Sequence, residues 1–89
     1  MLNKRKLEKI CKGFASHRRI EILSLLDTNP MSNLIDISDF TKTNVKTAFV
    51  HVQKMHNSGI IYKTSRGADV AHQLSPLGKS ILKFLKTLE

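Results

Sequence analysis

The feature that most constrains this chain is a change of pattern at Gly59. Before it, apolar residues recur at three- and four-residue steps, the period of amphipathic helices. After it, Ile60, Ile61, Tyr62, Lys63 and Thr64 favour a strand. The stretch Arg66-Gly67-Ala68-Asp69 reads as a hairpin tip, with Gly67 supplying a positive φ, and Val70 to Leu74 return as a second strand. Ser75-Pro76 then opens a last helix, because proline is tolerated in a first turn. The chain is expected to be mainly α with one small β-hairpin, an α+β domain.

Four helices are expected ahead of that hairpin. Residues 2–13 form a basic helix, apolar at Leu2, Leu7, Ile10 and Phe14, with Gly13 placed to end it. Ser16 caps the second, whose Ile20, Ile22, Leu23, Leu25 and Leu26 make it the core pillar; Asn29-Pro30 stops it. A short helix over 32–40 turns Leu34, Ile35, Ile37 and Phe40 inward. Thr41-Lys42-Thr43-Asn44 is a turn with threonine caps, and a longer helix follows to residue 57. Its core stripe is Val45, Ala48, Phe49, Val52 and Met55, and Gly59 provides its C-terminal cap. The order α-α-α-α-β-β-α over 89 residues makes one domain, 1–89, with a thin core.

Charge then points to a partner. Fifteen Lys and Arg against seven Asp and Glu give a formal net charge of +8, which suits an anionic partner, nucleic acid ahead of membrane. No acidic residue falls between Thr41 and Ala68, whereas ordinary surfaces mix both signs. A short helix, a tight turn, a longer helix and a basic hairpin can read duplex DNA: 32–57 as helix-turn-helix, 60–75 as wing. The face of the longer helix opposite its apolar stripe presents Thr43, Asn44, Lys46, Thr47, Val50, His51 and Lys54. Asn, Thr and Lys can bond base edges or phosphates, and Val50 can touch a thymine methyl. Arg18, Arg19, Lys42, Lys63 and Arg66 are the candidate backbone and wing contacts, with Lys4 and Arg5 adding phosphate affinity.

Three stretches resemble the winged helix domains of the ArsR and MarR families of regulators. FASHRRIEILSLL resembles the opening of an ArsR-type domain, and VHVQKMHNSGIIYKTS the end of a recognition helix, its glycine turn and the first wing strand. HQLSPLGKSILKFL resembles the strand-then-helix ending of MarR-type proteins. The resemblance covers roughly residues 14–88, although the turn DFTKTN lacks the usual glycine. The resemblance implies a winged helix-turn-helix that regulates transcription as a dimer.

Other chemistry is poorly provided for. His17 and His72 come from other elements than His51 and His56, which are five apart on one helix and off a shared face; the last helix has no His, Cys or Asp, so no metal or other cofactor is expected. Cys11, between Lys9 and Lys12, reads as a small buried residue, with an intermolecular disulfide as the alternative. No nucleophile sits beside a base, so no enzyme is expected, nor is a small-molecule effector evident. No apolar run spans a membrane, and a cytoplasmic location is expected. Helices 2–13 and 76–88 are candidate dimerisation elements, through Leu7, Leu77, Ile81, Phe84, Leu85 and Leu88, with Leu82 widening the stripe. The alternative is that this stripe folds back on its own domain. The expected function is a sequence-specific double-stranded DNA-binding regulator, a repressor acting as a homodimer. A protein-interaction adaptor and a sequence-tolerant architectural DNA binder are the rivals; single-strand binding is disfavoured by the scarcity of aromatic residues for stacking.

Overall fold

The computed structural model describes residues 3–89, so Leu2 of the first expected helix lies outside the described residues. Its elements follow the expected order: α1 (Lys4–Phe14), α2 (His17–Thr28), α3 (Leu34–Thr41), α4 (Val45–Asn57), β1 (Ile61–Arg66), β2 (Asp69–Leu74) and α5 (Pro76–Lys86). Each helix starts on a short polar side chain that satisfies a free backbone N–H of the first turn. Asn3 accepts from Lys6 N, Ser16 from Arg19 N and Ser75 from Gly78 N. The caps of α3 and α4 are asparagines, in α4 in place of the expected threonines. Asn33 and Asp36 form a reciprocal capping box at 2.8 and 3.0 Å, and Asn44 Oδ1 accepts from Thr47 N at 2.7 Å. Ser32 is drawn into a single β-bridge with His72 instead, which delays the start of α3.

Two glycines end turns as expected, and one does not. Gly59 (φ 79°) follows α4, and its N–H and that of Ile60 return to the carbonyls of His56 and Met55 at 3.0 and 2.9 Å, a Schellman motif. Gly67 (φ 62°) and Ala68 form the two-residue tip of the β1–β2 hairpin, whose register runs from Ile61–Leu74 to Arg66–Asp69. Arg66 is thus the last residue of β1 rather than part of the tip. Gly13 does not end α1. The helix runs on to Phe14, and Gly13 is buried where a Cβ would strike the side chains of Ser58 and Ile60. Gly78 plays the same part in α5, against the Ile60 carbonyl.

α2 is the pillar of the fold, touching every other helix and β2. Its Ile22, Leu23, Leu25 and Leu26 are buried against Ile37, Ala48, Val52, Met55, Ile60, Ile61, Leu74, Ile81 and Leu82. Each fully buried Leu or Ile stabilises by about 1.5–3 kcal/mol. Several residues expected inside are not. Ile20, Ile35, Phe40, Val45 and Phe49 are exposed, while the polar Ser38 and Thr41 take the inward positions on α3. Both hydroxyls donate within the helix, to the carbonyls of Ile35 and Ile37, so their burial leaves no polar group unsatisfied. Cys11, expected to be buried, is exposed on α1.

The last helix divides its stripe. Ile81 and Leu82 are buried in their own domain, and Leu77 and Leu85 pack half-buried against the core. Phe84 (58 % exposed) and Leu88 (67 %) remain outside, as does Leu7 on α1. Ile81, named above as a candidate dimer contact, therefore belongs to the protomer's own core. No helix among the described residues is long and apolar enough to cross a membrane.

Candidate nucleic-acid interface

α4 is seated by a narrow buried face, Ala48, Val52 and Met55, which leaves more of its circumference outside than the wide apolar stripe suggested. Thirteen residues make it about 20 Å long. The turn that delivers it is held by side chains. Lys42 takes the left-handed conformation (φ 55°) where a glycine is usual, and its N–H returns to Asp39 O. Thr43 Oγ1 lies 2.9 Å from the hydroxyl of buried Thr41. Thr43 and Asn44 are thus occupied with the turn and the cap, which takes their side-chain oxygens away from the outer face.

Lys46, Thr47, Val50 and Lys54 do stand on that face, all exposed. His51 sits half-buried on one flank. Arg19 of α2 donates through Nε to His51 Nδ1 at 3.0 Å and through Nη1 to the Lys12 carbonyl of α1. A nitrogen that accepts carries no proton, so neutral His51 holds its hydrogen on Nε2. Partial burial, followed by the charges of Arg19, Lys54, Arg18 and His17, holds its pKa below the usual 6.5.

The opposite flank faces the wing. Lys63 Nζ donates to Gln53 Oε1 at 2.7 Å and lies 5.5 Å from the centre of the Phe49 ring, so the first wing strand is fastened to α4. Val45, Phe49 and Gln53, at i, i+4 and i+8, form this flank; sequence reading put the first two in the core and passed over the third. Their spacing is compatible with either side of a stripe, and only the position of β1 distinguishes the two.

The remaining candidate cations differ in what holds them. Arg18 pairs with Glu21 at 3.0 Å and Arg66 with Asp69 at 3.5 Å. The Asn33 amide, donating to Asp69, holds that carboxyl below its usual range, followed by the Val70 N–H. Lys42, Lys46 and Lys54 are exposed and make no ion pair among the described residues. All seven carboxylate side chains lie outside residues 41–68; four of them are paired with cations, three with cations outside that stretch and Asp69 with Arg66. Among the described residues no group of three or more His, Cys, Asp or Glu could hold a metal ion.

This architecture, a helix-turn-helix followed by a two-stranded wing and a closing helix, is the winged helix-turn-helix fold. HlyU from Vibrio cholerae is similar over 98 % of this chain and 97 % of its own, with TM-score 0.82 and 21 % identity. The transcriptional repressor PagR of Bacillus anthracis is similar over 91 % and 93 %, with TM-score 0.78 and 21 % identity. A homodimeric winged helix-turn-helix DNA-binding domain from Mycobacterium bovis, of a possible ArsR-family transcriptional regulator, is similar over 94 % and 75 %, with TM-score 0.77 and 20 % identity. No protein-family model matches the chain, and no curated protein matches it.

Proposed function

We propose that this chain is a transcriptional regulator that binds double-stranded DNA sequence-specifically as a homodimer, and represses by occupying its site. The observation that carries the reading is the outer face of α4. Lys46, Thr47, Val50 and Lys54 stand there, flanked by Arg19–His51 on one side and Lys63 on the other, and no carboxylate lies anywhere from Thr41 to Ala68. A helix of this girth fits the major groove, about 12 Å wide. Lys46, Thr47 and Val50 are assigned to base edges, and the Nε2–H of His51 to an acceptor on base or phosphate. Lys42, Lys54, Lys63, Arg18, Arg19 and Arg66 are assigned to backbone phosphates. Thr43 and Asn44 act through the turn and cap that aim the helix. Residues 32–57 then serve as the reading unit and 60–75 as the wing, with α1 and α5 joining two copies. The dimeric Mycobacterium domain and the repressor PagR support the corresponding parts of the reading.

Fluorescence anisotropy against random duplex, with rounds of sequence selection at several salt concentrations, tests it. Four to six phosphate contacts per protomer, eight to twelve for the dimer, give a log–log salt slope of about −7 to −11, and selection enriches an inverted repeat with half-sites about 34 Å apart. Lys46→Ala weakens the selected site by about 1–3 kcal/mol and random duplex by less. A steep slope with no enriched motif would point to a sequence-tolerant architectural binder; negligible binding near physiological salt would favour an adaptor.

A further inference from the structure

Behind the reading face, α1 meets the C-terminal end of α4 and the start of α2 around a cleft of about 580 Å³. That volume falls within the range of small-molecule sites, about 300–1,000 Å³. Arg5, Lys9 and Lys12 line it from one face of α1, Lys54 from α4 and Arg19 from α2. The one carboxylate on its wall, Glu8, is engaged with Lys12 at 3.6 Å. Five cations thus converge on a concave surface, an arrangement that focuses positive potential and that their mutual repulsion disfavours when no anion is there.

The cleft is also braced. Buried Gly13 lets α1 approach Ser58, whose hydroxyl donates to the Lys54 carbonyl at 2.8 Å and lies 3.2 Å from the Lys9 carbonyl. The backbones that carry Lys9 and Lys54 are therefore held together before any ligand arrives. Arg19 is fixed through Nε and Nη1, which leaves Nη2 without a protein partner among the described residues. A guanidinium held in place with Nη2 free can donate a charge-assisted hydrogen bond to a phosphate oxygen.

We propose that this cleft binds a small molecule bearing two or more phosphate groups, such as a pyrophosphate or a nucleoside diphosphate. The phosphodiester backbone of DNA shares the chemistry, but the duplex is a convex rod, whereas these five residues line a concave surface. The site does not depend on the DNA reading. Because Arg19 joins it to His51, an occupant would act directly on one flank of α4.

The test is isothermal titration calorimetry of the full chain with inorganic pyrophosphate, and with sodium sulfate at matched ionic strength, no DNA being present. Saturable binding of one pyrophosphate per chain below about 1 mM is expected, a modest affinity equivalent to about −4 kcal/mol. Sulfate should bind at least tenfold more weakly. Amide NMR shifts should concentrate at Gly13, Asn57 and Ser58. The double variant Lys9→Glu/Lys12→Gln, both exposed positions, should keep the melting temperature and lose at least tenfold in pyrophosphate affinity. No saturable heat, equal binding of sulfate, or an unaltered variant would each overturn the proposal. So would a variant that instead loses duplex affinity, with the dimer's salt slope shallower by about 3.6, while wild type ignores pyrophosphate: the cleft would then serve the DNA backbone. Failure to bind any duplex would leave the pyrophosphate result standing, so the two readings fail separately.

Discussion

At the scale of single residues, two histidines carry the chain's response to mild acid. His72 is buried on β2, and its Nδ1–H donates to the Ser32 carbonyl that also accepts from its own backbone N–H, each at 2.9 Å. Burial is the main reason its pKa lies below 6.5, and the Ser32 bond works against that shift. His51 is lowered as well, by burial and then by Arg19. A depressed folded pKa means that below 6.5 the unfolded chain takes up more protons than the folded one. The stability these two groups contribute is complete above pH 6.5 and is lost progressively as pH falls from there toward their depressed folded values. Urea midpoints should therefore be level above neutrality and decline between pH 6.5 and 5. His72→Asn, which retains an N–H donor without the titration, should flatten part of that decline; an unchanged profile would assign the loss to carboxylates.

At the scale of elements, the helix-turn-helix shows how a turn manages without its usual glycine. The left-handed position is present, but Lys42 fills it. An L-residue there costs about 1–2 kcal/mol, so Lys42→Gly should stabilise the domain by roughly 0.5 kcal/mol once glycine's greater chain entropy is subtracted. It should also weaken duplex binding and make the dimer's salt slope shallower by about 1.8, one phosphate being held by Lys42 of each protomer. Thermal melting and anisotropy read the two effects separately. A lysine retained at a strained position is intelligible when its charge is used. The helices themselves were legible from periodicity, and the caps Ser16 and Ser75 from their residue types. The inward faces of α3 and α4 were less legible. In an eight-residue helix such as α3, Ile35 lies about 60° from inward Ser38 and Phe40 about 100° from inward Thr41 in helical projection, and hydrophobicity alone selects the wrong pair.

At the scale of the molecule, the chain measures 39 × 26 × 21 Å and leaves Leu7 of α1, Phe84 of α5 and Leu88, just past the end of α5, uncovered. Phe84→Glu/Leu88→Glu should convert the proposed dimer to a monomer in sedimentation equilibrium. Neither side chain belongs to the core, so the melting transition should persist. Affinity for an inverted repeat should then fall at least tenfold, through loss of the second reading head. A variant that still sediments as a dimer would move the interface to another surface.

The sequence by itself determined the order of elements, the hairpin and the absence of acidic residues from Thr41 to Ala68. These follow from periodicity, glycine and proline geometry and residue counts, which are local or additive. Only the tertiary structure decided which residues of α4 are outside, that Gly13 is a contact rather than a stop, and that Arg19 grips His51 across 32 positions. The cleft belongs to the same class. Its five cations are scattered from Arg5 to Lys54 and converge only when α1, α2 and α4 pack together. Through-space proximity of distant residues depends on how the helices cross, and no local preference encodes that crossing alone.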